Sequence, residues 1–177
     1  MSIKSIITVP NPILKTVSKP VDKVDKNTRI LMDDMLETMY DAPGIGLAAI
    51  QIGVALRVIV MDIAWKKEDA KREPKFFINP EISNQSRETA IYEEGCLSIP
   101  NQYAEIERSA TCTVKYLDYN GKECIEDADG LFATCIQHEM DHLEGILFID
   151  YLSKLKKNII VKKLTKQKKS SKERVVA

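Results

Sequence analysis

The segment Gln137-His138-Glu139-Met140-Asp141-His142 concentrates more reactive side chains than any other stretch of the chain. Residues four apart on a helix share a face, so the imidazoles of His138 and His142 can meet one metal ion while Glu139 leans to its edge. The sequence holds only 2 histidines and both lie here, which makes a chance pair of surface histidines a poor account. Catalytic metal sites usually take three protein ligands and leave a position open for water, so a third ligand must come from elsewhere. Beyond Gly145 there is no histidine and the acids are Asp150 and Glu173, which weakens a protease-type site with its third ligand downstream. Upstream, Cys96 sits in Glu93-Glu94-Gly95-Cys96-Leu97-Ser98-Ile99-Pro100, where glycine and proline flank a backbone that can present a thiolate. Taken alone, a cysteine there also reads as a small buried residue. A third island, Gly44-Ile45-Gly46-Leu47-Ala48-Ala49-Ile50-Gln51, has small residues that admit a substrate backbone and a glutamine able to point an amide N–H into a site. It lacks the Lys-Ser/Thr ending of a phosphate loop, and by itself it is an ordinary turn. Together these groups can place a metal ion beside a carboxylate and an amide N–H, an inventory that suits metal-assisted hydrolysis.

The three islands G-I-G-L-A-A-I-Q, E-G-C-L-S and Q-H-E-M-D-H-L-E-G, in this order, closely resemble the three signature motifs of peptide deformylases. The resemblance runs from about Ile6 to Leu164. It implies removal of the formyl group from the starting methionine of newly made proteins, with release of formate. It implies Cys96, His138 and His142 as metal ligands, Glu139 as the acid/base, and Gln51 with the backbone N–H of Leu97 as donors to the oxyanion. It further implies an extended N-formylmethionyl peptide pairing with backbone near Gly44 to Gly46 and near Gly95, a mode that ignores side-chain identity. Ile45, Leu131 and Cys135 match the family's methionine pocket. Leu131, Cys135, His138 and His142 follow i, i+4, i+7, i+11 spacing, so one helix face can serve both pocket and metal. Glu94 and Arg108 match a pair that braces the ligand loop. Tyr92 and Tyr103 depart from close relatives, which commonly have an aliphatic residue and an arginine there. On ligand chemistry alone zinc would fill two imidazoles and a thiolate well; the resemblance implies Fe2+ in the cell, replaceable by Zn2+, Ni2+ or Co2+. Two rivals stand beside this reading. One is a zinc endopeptidase of the H-E-x-x-H type. The other is a structural zinc module closed by Cys96, Cys135, His138 and His142, which leaves Glu139, Gln51 and the glycines without a role.

These islands need elements to hold them. Ile30, Leu31, Met35 and Met39 recur at mixed three- and four-residue spacing, which predicts a helix capped by Asp25 and stopped by Ala42-Pro43-Gly44. Leu56 to Ile63 reads as a buried strand, Ala64 to Lys75 as a charged loop, and Phe76 to Ile82 and Thr111 to Tyr119 as further strands. Asn120-Gly121 is the strongest hairpin signal in the chain. Asp129 can cap a helix from Gly130 to about Glu144, with Gly145 as its left-handed terminator. A last helix is expected from Ser153, with Leu155, Ile159, Ile160 and Leu164 seating it on the body. The element order lacks the alternation of a parallel α/β sheet. The fold class is therefore α+β, mainly antiparallel sheets around a central metal-binding helix, with an N-terminal and a C-terminal helix.

At 177 residues, 44% hydrophobic and 29% charged, the chain suits a single well-cored domain over 1–177, with 165–177 a basic, frayed tail. No run of eighteen apolar residues and no signal-peptide core is present, so no membrane partner and a cytoplasmic location are expected. Cys96, Cys112, Cys124 and Cys135 form no C-x-x-C pair, which fits reduced thiols. The net charge of zero divides into about −9 for residues 1–153 and +9 from Lys154 onward. An acidic body with a basic tail suggests docking on ribosomal RNA phosphate, and a monomer is expected.

Overall fold

The computed structural model describes residues 2–66 and 71–175, with side chains as far as residue 168. Part of the charged loop expected over Ala64 to Lys75, and the side chain of Lys169, lie outside the described residues.

Local signals set the first helix, α1 (Lys26–Asp41): the Asp25 carboxylate accepts from the Thr28 amide at 2.9 Å, and Pro43 follows the last turn. Its seated stripe is Met32, Met35 and Met39, all fully buried, and each such side chain contributes about 1.5–3 kcal/mol by leaving water. Ile30, expected on that stripe, instead faces solvent.

Seven strands follow among the described residues: β1 (Gly46–Ala48), β2 (Val58–Met61), β3 (Lys75–Ser83), β4 (Thr89–Cys96), β5 (Ile99–Ser109), β6 (Thr111–Leu117) and β7 (Glu123–Asp129). They form a five-stranded antiparallel sheet in the order β1-β2-β3-β6-β7 and a separate antiparallel ribbon of β4 and β5. β2 has no polar side because both its faces are covered. Val58 and Val60 pack with the α1 methionines, while Ile59 and Met61 face the second helix, α2 (Gly130–Leu143), with Phe77, Ala133 and Ile136. Pro80 lacks an N–H for the ladder and sits where β3 slips register against β6, beside Asn79 at φ 49°. Asn120-Gly121 turns β6 into β7 as expected, with Gly121 at φ 82°.

Asp129 stands at the start of α2, but its side chain makes no capping bond; β7 runs directly into the helix there and leaves Asp129 extended. Gly145 does terminate the helix at φ 70°, and a Cβ there would meet the Lys15 carbonyl oxygen at 2.5 Å. The third helix, α3 (Lys154–Val175), starts after Ser153, whose hydroxyl accepts from the Lys156 amide at 3.3 Å. One expectation fails here. Leu164 is buried and Ile160 and Val161 pack beside it, but Leu155 and Ile159 are 71% and 58% exposed, because the helical repeat carries them to the side opposite Leu164. The seated stripe joins α3 to the ribbon through Ile99 and Ile106 and to Phe148 below the site. No described helix is long and apolar enough to cross a membrane.

Candidate metal centre and active site

Three elements converge on one cavity of about 670 Å³. α2 is buried along nearly its whole length and brings His138, Glu139 and His142, with Leu131 and Cys135 on the preceding turns. The β4–β5 ribbon brings Cys96 at its tip: Gly95 pairs with Tyr103 and Cys96 with Ile99, so the chain turns tightly through Leu97-Ser98 and bulges at Pro100–Gln102, with Asn101 at φ 57°. β1 and the tight turn after it bring Gly46 and Gln51.

The Cys96 sulfur and a ring nitrogen from each of His138 and His142 lie within 4.8 Å of one another, the only such cluster among the described residues. Cys96 Sγ is 3.2 Å from His142 Nε2, and the two imidazoles stand nearly perpendicular with centroids 5.0 Å apart. His138 Nδ1 is 2.7 Å from Glu94 Oε2, which leaves Nε2 as its free donor atom. Glu94 is held in turn by two bonds from Arg108, and Arg108 Nη1 donates to Asp141 Oδ2 at 2.9 Å, where the Tyr151 hydroxyl also donates. Cys135 stands apart from this cluster, so no closed four-ligand set forms.

Electrostatics follow from burial and these partners. Burial works to raise the Glu94 carboxyl, but His138 and Arg108 outweigh it and hold it below the usual range. Burial works against a charged His138, yet Cys96 and Glu94 raise it well above an ordinary histidine, whereas burial and the neighbouring His138 depress His142. Burial, partly opposed by His138, pushes the Glu139 carboxyl up to about 7. Glu139 Oε2 and His142 Nδ1 are buried without a hydrogen-bond partner among the described residues. A thiol, two imidazoles and an unpartnered carboxylate around one point suit a divalent cation, whose charge satisfies donors that otherwise compete for a proton.

Each residue singled out in the sequence has a place here. Gly44, Ile45, Gly46, Gln51, Leu97 and Glu94 line the cavity, as do Gly95, Cys96, Leu131, Cys135, His138 and Glu139; His142 and Arg108 lie behind the wall, both buried. Gly44 is already committed: its N–H donates to Met39 and its carbonyl accepts from the Trp65 indole at 2.8 Å. The Ile45 carbonyl accepts from the Asp62 amide on the β2 side. Backbone groups alternate along a strand, and β1 is a sheet edge, so the N–H and C=O of Gly46 point to the open side. A Cβ on Gly46 would fall 2.4 Å from Glu139 Oε1, and one on Gly95 would fall 2.6 Å from the Tyr103 ring. Tyr92 and Tyr103 both border the cavity.

Sequence reasoning passed over Trp65, Ser98, Asp141 and Tyr151. Trp65 lies in a stretch that reads as charged loop, and only its partner Gly44 reveals its part. Ser98 is fully buried and accepts from Gln51 Nε2 at 3.1 Å, a contact between residues far apart in the chain.

A sequence model of the family described as polypeptide deformylase matches residues 3–158. The chain is 65% identical over 168 residues to a peptide deformylase of Pelagibacter ubique (strain HTCC1062), covering 95% of this chain and 96% of that one. The crystal structure of peptide deformylase from Ehrlichia chaffeensis superposes with a TM-score of 0.91 at 44% identity, covering 96% of this chain and 99% of that one. The same organism's enzyme in complex with actinonin superposes at 0.89 with 46% identity, over 94% and 98% of the two chains. A cavity holding a Cys-His-His cluster beside a buried glutamate fits what these matches say: the chain belongs to the peptide deformylase family, metal-dependent hydrolases that remove the N-formyl group from nascent chains.

Proposed function

We propose that Cys96, His138 and His142 hold the catalytic divalent ion of this deformylase and that Glu139 is its acid/base. The observation that carries this reading is the gathering of one sulfur and two ring nitrogens within 4.8 Å, beside a buried carboxylate oxygen with no hydrogen-bond partner among the described residues. When bound, the ion supplies Lewis acidity that makes water a competent nucleophile near neutral pH. Glu139 takes a proton from the attacking water as its oxygen bonds to the formyl carbon, and gives a proton to the amine nitrogen as the C–N bond breaks, so that formate and a free amino terminus result. Gln51 Nε2 and the Leu97 N–H donate to the formyl oxygen as negative charge collects on it. Glu94, gripped by Arg108, fixes the ring of His138 and keeps its other nitrogen toward the cavity.

The open edge at Gly46 and the ribbon tip at Gly95 bind the peptide by strand addition, while Gly44 serves by its lack of a side chain: a Cβ there would fall 2.7 Å from Leu97 Cδ1. Ile45, Leu131 and Cys135 receive the methionine side chain. Fe2+ is the ion in the cell, and Zn2+, Ni2+ or Co2+ can replace it. Residues 1–177 act as one catalytic domain in the cytoplasm, as a monomer, with 165–177 a basic tail. α3 docks on the ribosome through its lysines, and the exposed Leu155 and Ile159 among them support a surface meant for a partner. The deciding experiment is formate release from formyl-Met-Ala-Ser by protein purified without oxygen. Turnover that is lost on chelation and restored by Fe2+ is expected; no formate with any of the four metals contradicts the proposal.

A further inference from the structure

Ser98 is completely buried in the tight turn that follows Cys96 and Leu97, and the reaction as described gives it nothing to do. Its hydroxyl, however, meets Gln51, itself 1% exposed. The orientation of the Gln51 amide is set in two steps. The Ala48 N–H can only donate, and it bonds Gln51 Oε1 at 2.8 Å, which forces the NH2 group to the other side. There, Nε2 donates to Ser98 Oγ at 3.1 Å and to Cys96 Sγ at 3.5 Å. An amide nitrogen has two hydrogens. With one engaged by Ser98, the other makes the longer bond to the Cys96 sulfur, and an oxygen arriving beside that sulfur can take it over. Ser98 is anchored in its turn, because its carbonyl accepts from the Val9 amide at 3.0 Å.

We infer that Ser98 is a positioning residue for deformylation: its hydroxyl holds the Gln51 amide so that the remaining N–H is presented to the formyl oxygen in register with the Leu97 N–H. The inference rests on the reading of Gln51 as an oxyanion donor. Without Ser98 Oγ, the amide keeps its Ala48 bond but is free to twist about it, and a donor that is present but poorly aimed loses part of its effect. Loss of a whole donor lowers turnover by about 10²–10³, so loss of its aim is expected to lower kcat about tenfold. Substrate affinity is set elsewhere, at Gly46 and the methionine pocket, and KM is expected to stay within about twofold.

The test is a double-mutant cycle of Ser98→Ala and Gln51→Ala in nickel-loaded protein, with kcat and KM for formyl-Met-Ala-Ser and metal content measured for each variant. Ser98→Ala should lower kcat about tenfold with metal content unchanged, and should cost nothing further when Gln51 is already alanine. An unchanged kcat in Ser98→Ala, or the same loss in both backgrounds, overturns the inference, since a packing defect acts whatever stands at position 51. An unchanged kcat in Gln51→Ala refutes the donor role of Gln51, and the role of Ser98 falls with it. Should Ser98→Ala not fold, Ser98→Cys, which nearly keeps the size but accepts hydrogen bonds only weakly, takes its place in the same cycle: a lower kcat that vanishes in the Gln51→Ala background is expected, and an unchanged kcat overturns the inference.

Discussion

Gly46→Ala separates the geometry of the site from the stability of the fold. The added methyl would lie 2.4 Å from Glu139 Oε1, 2.9 Å from its Cδ and 3.0 Å from Cys135 Sγ. An ordinary carbon–oxygen contact needs about 1 Å more, so the carboxylate must move by roughly that distance. The group that moves is the end of a side chain rather than backbone, and the strand conformation suits alanine, so the melting temperature should change by only a few degrees. The catalytic consequence is different in scale. A misplacement of about 1 Å at a reacting group costs on the order of 10²-fold in rate. The assay is formate release from formyl-Met-Ala-Ser by Co2+-loaded protein, with bound metal measured on the same sample. We expect kcat to fall about a hundredfold while metal content and melting temperature hold. A kcat within about threefold of wild type would refute the claim that Gly46 is glycine because Glu139 needs its space.

Cys96→Ser should lose or weaken metal binding, since a hydroxyl is a far poorer ligand than a thiolate, whereas Cys135→Ser should retain it; equal loss in both would restore a four-ligand structural site. Asp150 offers a pH test. Burial works to raise its carboxyl, but Lys15, Lys157 and the Leu147 amide hold it below its usual 3.8, so its contribution is present above that value and lost as pH falls through the lowered one. Asp150→Asn should therefore be less stable than wild type by about 1 kcal/mol at pH 6, with the gap closing toward pH 2 in urea titrations, and a gap constant with pH would contradict it. A chain ended near Lys163 should hydrolyse short formyl-peptides normally yet cosediment less with ribosomes at low salt; unchanged cosedimentation would return the basic tail to a solvated end.

How much of this was legible varied with the range of the signal. The Asp25 cap, the Asn120-Gly121 turn and the Gly145 terminator act within a few residues, and each is found where the local chemistry puts it, although Asp129 makes no cap bond. The four-residue spacing of His138 and His142 predicts one helix face, and the structure turns both rings to one point. The β4–β5 ribbon was not legible. Its strands alternate exposed and half-buried residues with few apolar side chains, so hydrophobic patterning gives little, and its pairing is visible only once the chain has folded. The same holds for Trp65 on Gly44, Ser98 on Gln51 and Tyr151 on Asp141, single bonds between residues whose separation in sequence carries no period. The misjudged face of α3 has another cause: its apolar residues fall on both sides of the helix, and only contact with Phe148 and the ribbon selects the Leu164 side.

The central claim is that three residues hold the metal and a fourth, Glu139, moves the proton. Glu139→Gln keeps the side chain's shape and removes the base, so it parts those two roles in one sample. Metal content and formate release should be measured together on the Fe2+-loaded variant. The account predicts one metal per chain, as in wild type, and turnover lower by about a hundredfold or more. A metal-loaded Glu139→Gln protein that keeps most of its activity would contradict it.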